Sequence, residues 1–341
     1  MIRRVALALR AFLHPTEFLA PPAPSTESLN ALQHQLNMVL GRQIEFHREI
    51  RTLIGQATLP PVDLWRGKPD IPAGLAEGVI FTESELCRQE SFDTPYYRYW
   101  AEQVGHAARY HRKIWEFIFI CQVLYERNLL VPGSRGLGFG VGEEPLAAVF
   151  AARGCRITGT DMGADEAAQA GWTSTQQHAA GKEALRKPWL CDQAVFDANV
   201  EFRTCDMNAV PDDLQGYDFC WSACALEHLG SLEHGLAFIE RSLDCLKPGG
   251  FAIHTTEFNL SSNDDTMSQG STVLYRRRDL EAFQARITAK GHFMAPLNLD
   301  PGHGEIDRYI DVPPYLDEPH LKLMLSGFAA TSVGIIIQKA F

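Results

Sequence analysis

The sequence predicts an α/β fold, a doubly wound and mostly parallel sheet with a helical extension on its N-terminal side. From residue 133 onward, short apolar runs of strand type alternate with helical stretches, an order typical of a parallel sheet covered on both faces. The length of 341 residues allows one large domain with additions, and 45% hydrophobic residues is ordinary for a globular chain. These observations exclude a disordered or fibrous protein.

The overall charge and the cysteines narrow the class of partner. The 31 basic and 42 acidic residues give a net charge of −11, which argues against a nucleic-acid partner because phosphate contacts need a basic face. The eight cysteines show no Cys-x-x-Cys spacing, which predicts buried thiols in a reducing compartment and hence a cytoplasmic protein. No apolar run reaches the roughly 18 residues of a membrane span. Arg10 interrupts the apolar N-terminal stretch, so we expect a short amphipathic helix or a frayed tail there and not a signal peptide.

Residues 1–95 are expected to form an extension outside the sheet domain. After a proline-rich break at 15–26, a helix is predicted from about 29 to 54. Its positions 29, 32, 36, 39, 43, 46, 50 and 53 read Leu, Leu, Leu, Val, Gln, Phe, Ile and Leu, which makes a heptad seam. The seam either packs on its own domain or pairs with a second copy, with Gln43 fixing the register. The Pro/Gly-rich connection at 56–80 favours the second alternative, a homo-oligomer.

Residues 96–130 are predicted to be helical and largely buried, because they are apolar on several faces. The sheet domain then occupies residues 131–341. Its strands are predicted at 135–140, 156–161, 200–205, 217–222 and 251–255. Its helices are predicted at 144–153, 232–245 and 278–290. Two later strands, at 292–297 and 332–339, are expected to pair and to close the sheet edge.

A glycine-rich segment lies where the first strand turns into the first helix. Such a turn lets the backbone approach a ligand closely and directs helix N–H groups at it. The dinucleotide fingerprint Gly-x-Gly-x-x-Gly fails here in every register, and no Gly-Lys-Ser/Thr follows to make a P-loop. What remains is the pattern Gly138-x-Gly140-x-Gly142.

Two acidic residues follow at the ends of the next two strands. Asp161 ends the second strand, 19 residues after Gly142, where a carboxylate can accept hydrogen bonds from ribose hydroxyls. Asp206 ends the third strand, where it can bind the exocyclic amine of an adenine while Met207 packs on the ring. The glycine loop and the two acids together predict a nucleoside site.

Six motifs in this order resemble those of the class I S-adenosylmethionine-dependent methyltransferases, over about residues 115–341. Besides the glycine loop they are Thr158–Asp161, Cys205–Met207, Tyr217–Phe219, Leu226–His228 and Leu246–Gly250. The resemblance implies a seven-stranded Rossmann-like sheet and S-adenosylmethionine as cofactor, with the 96–130 segment covering its site. The cofactor-binding residues it implies are Gly138, Gly140, Gly142, Asp161, Met162, Asp206, Met207 and Ser222.

One position departs from that family. The acid that usually stands two residues before the first glycine, and contacts the amino end of the methionine moiety, is Gly136 here. The methionine tail therefore needs another partner, and we expect Arg112, or its neighbours Tyr110 and Trp115, to provide it.

The ends of the fourth and fifth strands carry the candidate bases. His228 ranks first because imidazole titrates near neutral pH, and Glu227, His254 and Glu257 follow. The alternative for His228 is a packing or capping role at a helix start. The two histidines and two glutamates could also hold a divalent ion, which residue spacing alone leaves open.

A polar insertion between the last two strands is the candidate wall of the acceptor pocket. It contains His303–Arg308, Asp311–Tyr315 and His320, side chains suited to a polyhydroxylated acceptor. The leading hypothesis is methyl transfer to a hydroxyl, or an amine, of a small polar acceptor such as a sugar or glycan precursor. The alternatives are a nicotinamide-dependent oxidoreductase and a non-catalytic oligomeric scaffold with a vestigial nucleotide site.

Overall fold

The computed structural model describes residues 26–59, 81–163 and 178–341. The chain divides into two compact units, residues 1–50 and 51–341. The first 25 residues, with nearly all of the predicted proline-rich break, and most of the 56–80 connection lie outside the described residues. The predictions made for those segments therefore stay predictions.

The N-terminal helix predicted at 29–54 is present and longer than expected. Helix α1 spans Thr26–Thr58. Up to residue 49 its described side chains are exposed, including the seam residues Leu36 and Phe46, whereas Arg51 at the start of the second unit is buried. Among the described helices, none combines the length and the apolar character that crossing a membrane requires.

The second unit alternates strands and helices in the predicted order. Its helices are α2 (Gln89–Phe92), α3 (Pro95–Gln103), α4 (Arg112–Glu126), α5 (Leu146–Ala152), α6 (Gln193–Asn199), α7 (Leu232–Asp244) and α8 (Arg277–Ala289). Its strands are β1 (Ser84–Glu85), β2 (Arg135–Phe139), β3 (Arg156–Asp161), β4 (Val200–Thr204), β5 (Tyr217–Ala223), β6 (Leu246–Asn259), β7 (Phe293–Met294), β8 (Leu297–Asn298), β9 (Ile310–Asp311), β10 (Lys322–Leu325) and β11 (Phe328–Gln338).

The main sheet is doubly wound around its centre. Its strand order is β4-β3-β2-β5-β6-β11-β10-β9, and the five strands from β4 to β6 are mutually parallel. From β2 the chain winds outward to β3 and β4, and then returns to β5 and β6 on the other side. The topological switch point therefore lies between β2 and β5, where open α/β sheets bind their ligands beyond the carboxyl ends of the strands.

The part of the sheet beyond β6 contains more strands than the sequence predicts. Strand β11 pairs antiparallel with β6 along nine residues, and β7 also pairs with β11, as predicted. However, β11 is internal, because β10 and β9 continue the sheet beyond it. The sheet thus has nine strands within the described residues, not the expected seven. The short β9 and β10 escape prediction because they lie inside the polar insertion.

The helical segment predicted at 96–130 consists of α3 and α4. Helix α4 is buried along most of its length, and it packs on the sheet close to β11. Gly334 permits this approach, since a Cβ at that position would lie 2.3 Å from the ring of Phe119. His111 caps the helix by accepting a hydrogen bond from the Lys113 N–H. The start of α4 is thereby held at the ligand end of the sheet.

Part of the expected extension belongs to the sheet unit. Strand β1 pairs in parallel with β8, and Leu86 forms a bridge with Val333 of β11. Residues 84–95 therefore belong to the same unit as the sheet. The boundary between the two compact units falls after residue 50 and not near residue 95. Strand β1 has only two residues, so an alternating pattern of apolar and polar residues cannot reveal it in the sequence.

Candidate active site

A cavity of about 680 Å³ opens at the carboxyl ends of the central strands. The loop after β2 and the ends of β3 and β5 line it, at the topological switch point, and α4 and the residues before β10 line it from other sides. Of the predicted site residues it gathers Gly140, Gly142, Asp161, Met162, Asp206, Met207, Arg112, Glu227, His228 and Glu257. Motifs separated by more than 100 residues thus meet at one site.

The glycine loop can approach a ligand because it lacks side chains where space is smallest. Gly140 and Gly142 have positive φ angles of 56° and 48°, a region that favours glycine. A Cβ on Gly140 would meet Ala225 at 2.8 Å. Gly138 plays a different part: it does not line the cavity, and a Cβ there would lie 2.4 Å from the Trp221 ring. Its role is close packing against β5.

Asp161 anchors the loop. Its Oδ2 accepts hydrogen bonds from the Gly142 N–H at 2.9 Å and from the Ala179 N–H at 3.0 Å, and its Oδ1 accepts one from Met162 at 2.8 Å. The carboxylate is buried and also lines the cavity. Asp161 therefore holds two backbone segments together at the place where the sequence predicts a ribose contact.

Asp206 and Met207 form the neighbouring part of the cavity wall. Asp206 is exposed and caps the short turn Met207–Ala209 by accepting from the Asn208 N–H at 2.8 Å. The Met207 side chain is buried and offers an apolar surface beside the loop. This pairing of a carboxylate with an apolar side chain suits the edge and face of a purine base.

The structure explains the glycine at position 136. A Cβ on Gly136 would lie 2.4 Å from the Phe219 ring and 2.9 Å from Ile157, so no acidic side chain fits there. Glu144, which follows the third glycine by two residues, supplies a buried carboxylate to the same cavity. Trp221 Nε1 donates to its Oε1 at 2.6 Å, and burial raises the pKa of Glu144 to about 8. The sequence signal for this carboxylate is the pair of consecutive glutamates, 143 and 144, directly after the glycine loop.

Arg112 lies in a dense charged cluster at the start of α4. Its Nη1 is 2.5 Å from Glu257 Oε1 and 3.4 Å from Glu116 Oε1. Lys113 Nζ lies 3.1 Å from Glu116 Oε2 and donates to the Ala223 carbonyl at 2.8 Å. Burial alone would raise the pKa of Glu116, but the two cations hold it below its usual range. Arg112 is thus already paired with carboxylates, and Lys113 is the second cation that lines the cavity.

Among the predicted bases that line the cavity, Glu257 has a pKa raised toward neutrality. Burial raises its pKa to about 7, which the adjacent Arg112 opposes and the nearby Glu227 reinforces. Its Oε2 is buried and has no hydrogen-bond partner among the described residues. Cys224 Sγ and carboxylate oxygens of Glu227 and Glu257 lie within 4.8 Å of one another. A divalent ion at this trio would have to compete with the Arg112 guanidinium.

Glu227, a member of that trio, and the adjacent His228 follow the end of β5. Thr256 Oγ1 donates to Glu227 Oε2 at 3.1 Å. The Nδ1 of His228 lies 2.7 Å from the Ser271 carbonyl oxygen, and its Nε2 lies 3.9 Å from Glu227 Oε1. A carbonyl can only accept, so Nδ1 carries the proton. The Nε2 lone pair of His228 therefore lies near a carboxylate.

Besides Gly138, two further predicted site residues lie outside the cavity. His254 and Ser222 are both buried and do not line the cavity. His254 sits between Ser222 Oγ at 2.8 Å and Ser242 Oγ at 3.1 Å, and burial lowers its pKa to about 3. Ser242 donates its own proton to the Ile239 carbonyl, so His254 Nε2–H donates to Ser242 and Nδ1 accepts from Ser222. The pair forms a polar contact within the core.

The sequence predicted that histidines and acids of the polar insertion line the acceptor pocket. Of these residues, His320 lines the cavity. His303 is exposed and outside the cavity, and Asp311 is fully buried behind His320. His106 and His111, from the α3–α4 connection, complete this polar wall. No sequence motif indicates these two histidines, because chain folding alone brings them to the strand ends.

One family model and several solved structures are similar to parts of this chain. Residues 137–254 match the family model described as a methyltransferase domain. No curated protein matches the chain. Among solved structures, a putative sarcosine dimethylglycine methyltransferase from Galdieria sulphuraria is similar over 66% of this chain and 84% of that one, at 13% identity and a TM-score of 0.40. An S-adenosylmethionine-bound amino pentose methyltransferase from Micromonospora echinaspora is similar over 72% and 98%, at 13% identity and a TM-score of 0.37.

The matched segment contains the glycine loop, Asp161, Asp206, Glu227 and His228, which are the elements that build the cavity. A methyltransferase domain at this position favours methyl transfer over the nicotinamide-dependent oxidoreductase considered above. The chain therefore carries a methyltransferase domain at residues 137–254, the segment that builds most of the cavity.

Proposed function

We propose that the enzyme transfers the methyl group to a hydroxyl, or an amine, of a small polar acceptor, with a sugar or glycan precursor as the first choice. The observation that carries the proposal is the composition of the cavity. One side is the glycine loop with its strand-end acids, and the other side carries four histidines, His106, His111, His228 and His320. Such a wall provides hydrogen bonds in both directions for a polyhydroxylated molecule.

The residues present fit the cofactor. Its cationic groups match a cavity that carries Glu143, Glu144, Asp161 and Asp206, and the Gly140 cradle would be filled by any Cβ. We assign the nucleoside to Asp161, Met162, Asp206 and Met207. When bound, S-adenosylmethionine supplies an electrophilic methyl group together with its own leaving group.

The methionine tail is the part for which this chain departs from its family. We assign its ammonium group to Glu144, the buried carboxylate that lines the cavity where position 136 admits no acid. Lys113 is the matching cation for the tail carboxylate, and Arg112, the candidate from the sequence, stays engaged with Glu257. The protein thereby presents one charge of each sign to a zwitterion.

The acceptor must lose a proton, and the side chains from the strand ends that line the cavity can receive it. Glu227, His228 and Glu257 meet this positional requirement, whereas His254 does not. Effective proton transfer requires the base to have a pKa near the working pH. Burial brings the pKa of Glu257 to about 7, so activity that depended on its carboxylate would rise through that pH.

Calorimetry followed by an acceptor screen tests the proposal. We expect the purified full chain to bind S-adenosylmethionine, and to form S-adenosylhomocysteine with a member of a panel of methyl hexosides, amino sugars and simple amines. Mass spectrometry should find one added methyl group on that member. Absence of binding by folded protein would refute the function as a whole. Methylation of RNA or DNA and of no small molecule would refute the acceptor class.

We also propose that α1 joins two copies of the chain. Seam residues such as Leu32, Val39 and Phe46 are each more than 60% exposed, and they recur at heptad spacing along a helix of 33 residues. A heptad seam buries its side chains best against a helix of the same period, and Gln43 provides a polar pair that fixes the register. A second copy of this chain is therefore the occupant that fits.

Leu36→Asp is expected to convert this oligomer to monomer, because it places two charges in the seam of a dimer. The matched control is Met38→Asp, since Met38 is as exposed as Leu36, 51% each, but lies off the seam. Light scattering on the full chain should show a halved mass for Leu36→Asp and an unchanged mass for Met38→Asp. Equal masses for all three proteins would contradict the proposal. Cytoplasmic location stays a prediction from the cysteine pattern.

A further inference from the structure

His320 and the buried Asp311, both from the C-terminal part of the chain, form a hydrogen-bonded pair at the cavity wall. Asp311 ends β9, and His320 lies two residues before β10. His320 Nδ1 is 2.7 Å from Asp311 Oδ2. The aspartate is fully buried, and its carboxylate also lies 2.9 Å from the Leu316 N–H and 3.3 Å from Arg51 Nε. This is an imidazole oriented by a fixed carboxylate.

The pairing determines which ring nitrogen can act. The Asp311 carboxylate accepts, so Nδ1 of His320 carries the proton and the lone pair of the neutral ring is on Nε2. Within the described residues, Nε2 makes no hydrogen bond, and the His320 side chain lines the cavity. The ring thus presents a basic atom to the cavity, in the arrangement that a general base requires.

Backbone and side-chain contacts hold the pair in place. The His320 N–H donates to the Tyr110 carbonyl, and its own carbonyl accepts from the Arg112 N–H, which ties the residue to the start of α4. Behind Asp311, Arg51 is 3% exposed and donates to Tyr309 Oη and to the Val312 carbonyl. Arg51 and Asp311 are therefore positioning residues for His320.

Among the described residues, the rings of His111 and Tyr315 lie close to the His320 ring. The His111 ring lies 4.8 Å away, and burial, with a smaller contribution from His320, lowers its pKa to about 4, so His111 is neutral at neutral pH. The Tyr315 ring lies 5.6 Å away, edge to face. By contrast, His228 has its Nε2 lone pair near Glu227, and Glu257 is paired with Arg112. His106 also lines the cavity, but among the described residues no carboxylate orients its ring, whereas Asp311 orients His320.

We propose that His320 is the general base for the acceptor, oriented by Asp311; this rests on the proposed methyl transfer to a protic group. As the acceptor oxygen or nitrogen forms its bond to the methyl carbon, the electron pair of the breaking carbon–sulfur bond stays on sulfur. The acceptor proton passes to His320 Nε2, and the resulting imidazolium, stabilised by Asp311, returns it to solvent.

The first test needs no acceptor. Nitrogen-15 NMR of histidine-labelled full chain, with His320→Gln to assign the signal, should show His320 as the Nδ1–H tautomer when neutral. A dominant Nε2–H tautomer would overturn the proposal, because the lone pair would then face Asp311.

The second test uses turnover with the fastest member of the acceptor panel. We expect His320→Gln to lower kcat at least about 100-fold, with unchanged affinity for S-adenosylmethionine and loss of the acidic limb of the pH profile. Asp311→Asn should cause most of that loss, and the double variant should be no slower than His320→Gln, since the two residues act as one unit. His303→Gln is the matched control, because His303 also lies beside an aspartate, Asp300, but outside the cavity.

The outcomes separate this inference from the function it rests on. If His228→Gln or Glu257→Gln removes the acidic limb while His320→Gln keeps it, the base is wrong and methyl transfer stands. Additive losses in the double variant would reduce Asp311 to a structural role. If the wild-type chain binds no S-adenosylmethionine, the function and the inference fail together.

Discussion

Asp161→Ala is expected to abolish measurable binding of S-adenosylmethionine and to lower the free energy of unfolding by about 2–4 kcal/mol. The buried carboxylate accepts hydrogen bonds from the backbone of Gly142, Met162 and Ala179. Removing the carboxylate leaves these N–H donors unpaired. Each donor that water cannot reach then lowers the free energy of unfolding by about 1–3 kcal/mol. The loop also loses the contact that places its N–H groups at the cavity.

Urea unfolding and calorimetry on the full chain check both parts of this prediction. Asp161→Asn is the matched variant, since it retains one accepting oxygen but turns an amide toward a backbone donor, and it should fall between wild type and alanine. His228→Ala is the control for the site, because His228 lies at the acceptor end and its loss should leave cofactor affinity unchanged. Binding by Asp161→Ala within twofold of wild type would show that the loop holds its position without this anchor.

Glu144→Gln is expected to weaken S-adenosylmethionine binding about tenfold and to remove a proton release that accompanies it. Burial raises the pKa of Glu144 to about 8, so the free enzyme holds this proton at neutral pH. An ammonium group binds the carboxylate, and binding must therefore expel the proton. It follows that wild-type affinity rises with pH and levels off above about 8.

The same shift has a consequence for stability. The pKa of Glu144 is raised in the folded chain, so its folded state binds more protons than its unfolded state between the two pKa values. The contribution of Glu144 to stability therefore falls as pH rises from the ordinary glutamate pKa toward 8. Glu144→Gln should remove this decline.

Calorimetry in two buffers of different ionisation enthalpy measures the released proton. Wild type should give different apparent binding enthalpies in the two buffers, and Glu144→Gln should give equal ones. The neighbouring Glu143→Gln is the matched control, because Glu143 is exposed and lines the same cavity, and it should behave as wild type. Undiminished proton release in Glu144→Gln would assign the ammonium group to another side chain.

Local patterns predicted the centre of the sheet. Strands β2, β3, β4 and β5 lie within a residue or so of the predicted bounds, because buried parallel strands are continuous apolar runs between turn residues. The glycine loop and Asp161 were found because their functions depend on backbone conformation and on position at a strand end. The departure at Gly136 was also visible in the sequence.

The sequence did not predict which face of the sheet each side chain of β6 points to. The prediction ended this strand at 255, and residues 254–259 then looked like one polar tip. In the structure the strand continues to Asn259, and successive side chains point to opposite faces. His254 therefore faces the core serines while Glu257, three residues later, faces the cavity. Only the observed length of β6 shows that His254 and Glu257 lie on opposite faces of the sheet.

The amino-acid sequence by itself determined the order of elements, the doubly wound sheet and the strand-end glycines and acids, since these depend on neighbours a few residues apart. Tertiary structure decided why position 136 is glycine, which buried acid lines the cavity instead, and which histidines reach the cavity. Phe219 excludes a side chain at 136, and Asp311 orients His320 with support from Arg51, 260 positions earlier in the chain. Contacts between distant segments form only when the chain folds, and no spacing along the sequence encodes them.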